Sequence, residues 1–248
     1  FGLISIYLRR FLQETPVFKK MRESKALAKF PLEEVVKTSR FGIWISMFIT
    51  WVLTGCIVVF ILLMPGFVGS VLGFSPFETT YFQMGGLVCI VSSCWLTGRL
   101  ADKHNPSTLC ILFSAGFAVS SVAFFSLLYT AAPVVSEVVL AYFATCFFAG
   151  IMNFCPIFMC DVFPARIRFS GISFAYNIAY ALSGAFTPQL SFALHAYAKT
   201  HPDTLGAMGL SAYIVFLALV SIGTALAMRR VYKNGGAAVS QMEFRPAP

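Results

Sequence analysis

Uncharged polar side chains interrupt the long apolar runs of this sequence at a few positions. Five polar or small residues recur at steps of four and three in one run, which places them along one face of a helix. They are Ser173, Asn177, Tyr180, Gly184 and Thr187, with Tyr176 beside them. Gln83 adds an amide to a second run, and Asn153 adds one to a third, three residues before Pro156. Such groups form hydrogen bonds between helices, or they form a neutral wall suited to a zwitterion, an organic acid or a quaternary ammonium ion.

Charged residues are concentrated in short segments that join the apolar runs. Two of these segments carry Gly98, Asp102 and Lys103, and Asp161, Arg166 and Arg168. A carboxylate at a helix end can bind a neighbouring arginine or helix N-terminus, so these residues could latch one end of a helix bundle. Pro164 ends a helix, and we expect Ser170 to cap the next one. The alternative is that both segments are solvated turns.

The sequence lacks the reactive clusters of an enzyme. The apolar runs contain no H-E-x-x-H motif, carboxylate pair or Ser/His/Asp set. We expect His195 and His201 in a wet turn outside the membrane. The seven cysteines form no C-x-x-C pair, and we expect them to be reduced. The sequence therefore predicts neither an enzyme nor a metal or cofactor site.

The composition is that of an integral membrane protein. Hydrophobic residues make up 58% of the 248 residues and charged residues only 11%. A soluble domain needs more polar surface than this, and a disordered chain is far less hydrophobic. The net charge of +8 comes from short basic clusters between apolar runs, which argues against a nucleic-acid partner. The expected partner is the lipid bilayer.

Six apolar runs are long enough to cross about 30 Å of hydrocarbon as helices. None contains a charged residue. They are Phe41–Met64, Tyr81–Gly98, Ser107–Thr130, Val138–Cys160, Phe169–Leu194 and Ala207–Met228. Small residues at helical spacing, such as Ala218, Ser221 and Ala225, predict close helix packing. The sequence thus predicts an all-α bundle of six transmembrane helices.

The basic residues predict the orientation of this bundle. Of the 18 Lys and Arg residues, only Lys199 lies outside the loops and tails assigned to one side, which we expect to be the cytoplasm. Residues 9–40 are then a central cytoplasmic loop, residues 41–228 the bundle and residues 229–248 a cytoplasmic tail. Residues 1–8 are apolar with no preceding basic segment, so we expect them to end a preceding transmembrane helix of a larger protein.

The first charged segment resembles a motif of the major facilitator superfamily. The family motif after the second helix of each half reads G-x-x-x-D-[RK]-x-G-[RK]-[RK]. Gly98, Asp102 and Lys103 match it. The sequence departs from the motif at residues 105–107, where Asn, Pro and Ser replace the second glycine and the two basic residues.

Two further segments strengthen this resemblance. Asp161, Phe163, Pro164 and Arg168 are similar to the family's E-x-F-P-x-x-x-R, with Asp in place of Glu. The segment Leu8–Phe18 is similar to the L-R-x-x-L-x-E-[ST]-P-x-F stretch of metabolite:proton symporters, a group that includes proline/betaine, α-ketoglutarate, citrate and shikimate transporters. The resemblance covers about residues 8–231.

The resemblance implies helices seven to twelve of a twelve-helix secondary transporter in the bacterial inner membrane. Helices seven, eight, ten and eleven of that fold line the central cavity, and the polar residues fall on eight, ten and eleven. It therefore implies that Gln83, Asn153, Tyr176, Asn177, Tyr180 and Thr187 line a cavity for a small organic solute. Proton-relaying groups would lie in an N-terminal six-helix half. The alternative is a degenerate half that does not transport and acts as a structural or regulatory membrane partner.

Overall fold

The protein is a helical bundle in the computed structural model, which describes Tyr7 and residues 31–130, 132–201 and 205–233. The predictions for residues 1–8, for most of the central loop and for the tail after Lys233 concern segments outside these ranges, Tyr7 excepted. Regular structure within the ranges is entirely helical, which confirms the predicted all-α fold. The helices are α1 Pro31–Thr38, α2 Arg40–Leu72, α3 Pro76–Ala101, α4 Pro106–Leu128, α5 Val135–Val162, α6 Ala165–Thr200 and α7 Leu205–Lys233.

Five helices, α2 to α5 and α7, are long and apolar enough to cross a membrane. They correspond to five of the six predicted spans. The sixth predicted span, Phe169–Leu194, lies inside α6, whose 36 residues exceed the length that a bilayer requires. Serine, asparagine, tyrosine, threonine and glutamine make α6 more polar than the other five helices, so its composition alone does not identify it as a span.

One local expectation differs from the structure. Pro164 directly precedes α6, and Ser170 lies inside that helix, so the prediction that Ser170 caps it is wrong. The fixed φ of proline already suits a helix start, so the helix begins several residues earlier. Within the predicted central loop, residues 31–38 form the short helix α1.

Small residues let the long helices approach closely. α6 packs along α2 and α7 and buries a small residue at every fourth position. These residues are Gly171, Ala175, Ala179, Ser183, Thr187 and Ser191. On α7, Ala218, Ser221 and Ala225 are buried, as the sequence predicts, and the Ser114 hydroxyl of α4 donates to Ser221 Oγ at 2.8 Å. Close packing of this kind holds helices together where lipid supplies no hydrophobic force between them.

α2 contains a π-helical segment, Ile57–Leu63, just before Pro65. Proline has no N–H, so Pro65 cannot donate to the carbonyl of Ile61, four residues back, or of Phe60, five residues back. Side chains of two other helices donate to these two carbonyls. Gln83 Nε2 of α3 lies 2.6 Å from Ile61 O, and Tyr142 Oη of α5 lies 3.0 Å from Phe60 O. The irregular backbone of α2 is therefore satisfied by its neighbours.

Replacement of Tyr142 tests this role. Tyr142→Phe keeps the ring that stacks on Phe82 at 4.1 Å and removes only the hydroxyl donor to Phe60 O. We expect the free energy of unfolding to fall by about 1 kcal/mol, because a buried carbonyl loses its partner. Thermal unfolding in detergent measures it. Tyr81→Phe is the control, since Tyr81 is 71% exposed. Equal transition temperatures for all three proteins would contradict the role.

Candidate functional site

A crevice of about 480 Å³ lies between α2, α5 and α6. Its walls carry no charged side chain, and Tyr176 of the predicted cavity residues lines it. The lining residues are Leu53, Cys155, Pro156, Met159, Cys160, Ile172 and Tyr176. The crevice therefore suits a solute with apolar parts, and its polar contacts must come from its rim.

The rim on α6 carries an aromatic pair and an amide. The rings of Tyr176 and Tyr180 stack with centroids 5.4 Å apart and planes at 25°. Asn177 is exposed, and its Nδ2 donates to Ser173 O of the same helix at 2.7 Å. An amide nitrogen has two hydrogens, so Asn177 keeps one donor and its oxygen for another partner. The rim thus offers ring faces for a cation and an amide for a carboxylate or hydroxyl.

Thr187, at the far end of the predicted stripe, has a different environment. It is fully buried, and its hydroxyl lies 2.7 Å from Tyr213 Oη of α7. Trp51 Nε1 of α2 donates to the same Tyr213 oxygen at 3.2 Å. Thr187 therefore joins three helices, and the predicted stripe divides into an exposed part around Asn177 and a buried part at Thr187.

The other two predicted cavity amides also bind neighbouring helices. Gln83 donates to the π-helical segment of α2, as described above. Asn153 Nδ2 lies 3.2 Å from both Cys94 O and Thr97 Oγ1 of α3. It ends a 3₁₀ segment, Ala149–Asn153, that precedes Pro156, so α5 is irregular where the proline predicts a bend. Helix-to-helix bonding is thus what the structure shows for both amides.

The α3–α4 connection carries the first charged motif. Asp102 caps the end of α3 through its backbone N–H, which bonds to Gly98 O at 3.2 Å. The side chains of Asp102 and Lys103 are exposed and bond to no other described residue. Asn105 caps α4, because its Oδ1 accepts from Ser107 N at 2.9 Å. The residues that depart from the family motif therefore begin a helix.

The α5–α6 connection carries the second motif. Asp161 Oδ2 accepts a hydrogen bond from Tyr232 of α7 at 2.5 Å, and Arg168 Nε donates to Phe163 O at 3.1 Å. Arg166 forms an ion pair with Glu34 of α1, in which both side chains are largely buried. Within the part of the chain that the structure describes, Asp161, Arg168 and Arg166 therefore each bind a group outside the predicted latch.

α1 packs against the second charged segment, and the sequence does not predict this helix. Its Val35 is fully buried against Phe163 and Ile167. Phe163 also fills the space beside two glycines: a Cβ atom at Gly42 or Gly171 would lie within 2.8 Å of its ring. α1 is only eight residues long, and the signal that could have revealed it is the Glu33–Lys37 spacing of four with Val35 between them.

His195 is not in a wet turn, and that prediction is wrong. It lies inside α6, 9% exposed, with Tyr129 Oη 2.5 Å from Nδ1 and Ser70 Oγ 3.0 Å from Nε2. Its ring stacks on Phe67 at 4.1 Å. α6 is longer than predicted, so it carries His195 between α2 and α4. His201 is exposed at the end of α6.

Comparisons with known proteins agree with the motifs. The family model of the Major Facilitator Superfamily matches residues 1–188. The inner membrane metabolite transport protein YhjE of Escherichia coli is 28% identical over 222 residues, which cover 84% of this chain and 47% of that protein. A protein of Staphylococcus haemolyticus, named as a candidate proline/betaine transporter, is 22% identical over 190 residues, 75% of this chain and 40% of its own length.

The chain spans about half the length of the curated relatives it matches. No solved structure matches it. The family match, over residues 1–188, covers most of the chain, and five of its described helices are long and apolar enough to cross a membrane. The chain is therefore a multi-pass membrane protein that belongs to the Major Facilitator Superfamily.

Proposed function

We propose that this chain forms the C-terminal half of a secondary active transporter that moves a small organic solute by alternating access. The solute classes that fit the site are zwitterionic osmolytes and organic acids. The face formed by half-buried Tyr176 and exposed Asn177 and Tyr180, beside the crevice, carries this proposal. Relatives named for metabolite and proline/betaine transport support the same classes.

The geometry of this face suggests how a solute binds. A quaternary ammonium or secondary amine would lie against the Tyr176 and Tyr180 rings, which stand 5.4 Å apart. The carboxylate of the same solute would accept the remaining N–H of Asn177, and the apolar crevice would hold its carbon skeleton. Gln83, Asn153 and Thr187 would not contact the solute. Their bonds to neighbouring helices would hold in place the helices that form the crevice.

Proton coupling requires an ionisable group that the solute-binding face does not provide. The predicted spans contain no Asp, Glu, Lys or Arg. The buried His195 has hydroxyl partners at both ring nitrogens and lies away from the crevice lining. We therefore assign proton binding to the N-terminal six-helix half of the transporter, which would form the other wall of the cavity.

Uptake by the native protein tests the site. In membrane vesicles with an imposed proton gradient, Asn177→Ala and Tyr180→Ala should raise the apparent KM for labelled glycine betaine, proline or α-ketoglutarate by roughly tenfold or abolish uptake, because each loses about one polar or cation–π contact. Tyr180→Phe should retain most uptake if the ring provides the contact.

Membrane expression and Leu182→Ala serve as controls, since Leu182 is an exposed residue of α6 on another face. Normal KM values in both alanine variants would remove the site from the transport path. Absence of uptake of every solute by the native protein would favour the alternative, a half that serves as a structural or regulatory partner.

The charged residues of the α3–α4 and α5–α6 connections, which we call hinges, support a second part of the proposal. This part is a switch at the cytoplasmic ends of the helices. Gly98, Asp102 and Lys103 would act at the α3–α4 hinge, and Asp161, Arg166 and Arg168 at the α5–α6 hinge. The Glu34–Arg166 pair connects the second hinge to α1 and hence to the central loop. We propose that α1 separates from α6 when this side opens, so that the pair breaks and would favour the closed arrangement.

Charge reversal tests the switch. Arg166→Glu should lower the ratio of closed to open protein by roughly 10- to 100-fold, because a largely buried charged hydrogen bond is lost. The double variant Glu34→Arg with Arg166→Glu should restore the ratio, and Asp102→Asn should shift it in the same direction as Arg166→Glu. Distances between spin labels on the cytoplasmic ends of the two halves, one of them at His104, report this ratio.

Lys37→Glu is the matched control. Lys37 lies on α1, as Glu34 does, and pairs with Glu33 at 2.6 Å. Both side chains are mostly exposed, so this pair contributes little to stability. An unchanged distance distribution in Arg166→Glu would show that the α5–α6 hinge is a solvated turn.

A further inference from the structure

A second groove lies on the outer surface of the bundle, between α2 and α7. Its volume is about 390 Å³, and its lining is apolar except for Thr224. The lining residues are Phe41, Trp44, Ile45, Phe48, Val220, Gly223, Thr224 and Ala227. None of them lines the crevice between α2, α5 and α6. The groove is therefore separate from the proposed solute site.

The groove has room for an apolar chain. Trp44 is 58% exposed and stacks on Phe48 with centroids 5.8 Å apart, which forms a flat aromatic wall. A Cβ atom added at Gly223, on the opposite wall, would meet nothing within 4 Å. The groove is thus open beside Gly223, and a side chain at that position could fill it without displacing a neighbour.

Positive charge stands at one end of this groove on both helices. Arg40, Trp44 and Phe48 follow one another at steps of four, so they share a face of α2. Arg230 lies three residues after Ala227 and seven after Gly223, so it continues the groove face of α7. Both arginines are exposed and make no ion pair or side-chain hydrogen bond with a described residue.

The first turn of α2 contributes no carboxylate to this positive end. It has no acidic residue, and the Ser39 side chain, 3.5 Å from Thr38 Oγ1, forms no cap bond to the helix. An apolar groove with an aromatic ring near one end and two cations beyond it matches the layout of a phospholipid at the membrane interface.

We infer that this groove binds an anionic phospholipid. One acyl chain lies between the Trp44–Phe48 wall and Gly223, and the phosphate lies between Arg40 and Arg230. The inference depends on the membrane placement of α2 and α7 and not on the proposed transport function. Two arginines near an anionic headgroup should favour it over a zwitterionic one by roughly 10- to 30-fold.

Brominated lipids test this site, because bromine on an acyl chain quenches a tryptophan that it touches. The native protein is placed in phosphatidylcholine vesicles that contain a minor fraction of brominated phosphatidylglycerol or brominated phosphatidylcholine. The difference in tryptophan fluorescence between the native protein and Trp44→Phe isolates the signal of Trp44. We expect brominated phosphatidylglycerol to quench that signal at a roughly 10- to 30-fold lower mole fraction.

Three variants sharpen the result. Arg40→Gln with Arg230→Gln should make the two lipids equivalent, and Gly223→Leu should reduce quenching by both, because its side chain fills the groove. Arg99→Gln is the matched control: Arg99 lies 4.1 Å from the Trp95 ring, another exposed arginine–tryptophan pair, but not in this groove. It should leave the preference of Trp44 unchanged.

Three outcomes would overturn the site. Equal quenching by the two lipids in the native protein would remove the headgroup preference. An equal loss of preference in Arg99→Gln would show a general surface charge effect. If neither lipid quenches the fluorescence of Trp44, another protein segment covers the groove.

Discussion

A polar group inside a membrane must find its partner within the protein, because lipid supplies none. This constraint decides how the six long helices fit together. Pro65 removes one backbone donor from the irregular part of α2, and Gln83 and Tyr142 reach across from α3 and α5 to bind the Ile61 and Phe60 carbonyls. Asn153 and Thr187 bind other helices in the same way. Beside the crevice, Tyr176, Asn177 and Tyr180 of α6 make no side-chain hydrogen bond to another described helix.

The sequence predicted the apolar helices and both hinge motifs, because these depend on composition and on residues close in sequence. It could not tell which polar side chains bind one another, since that depends on contacts between distant helices. Thr187 and Asn177 belong to one predicted stripe, yet only Thr187 meets Tyr213. His195 was assigned to a turn because the length of α6 beyond Leu194 has no strong local signal. α1 was missed because eight residues carry too little periodicity.

The two faces of α6 account for a division of roles within the bundle. Its small-residue face lets α6 pack closely in the bundle with α2 and α7, so we expect these helices to move together. Its other face, near Asn177, is free to meet a solute. In the proposed transporter, the α3–α4 and α5–α6 connections would control when that face is open, and the α2–α7 groove would give the surrounding lipid a separate contact with the same helices.

Accessibility along α6 tests the central claim most directly, that its Asn177 face lines a water-filled path. The native cysteines of the protein are first replaced. Single cysteines are then introduced at positions 173, 177, 180 and 184, at buried Ala175 and Ala179, and at exposed Leu182. A thiolate reacts only where water reaches it, so we expect a hydrophilic thiol reagent to label the first four, and solute to protect them. Labelling of none of those four, or equal labelling of Ala175 and Ala179, would contradict the account.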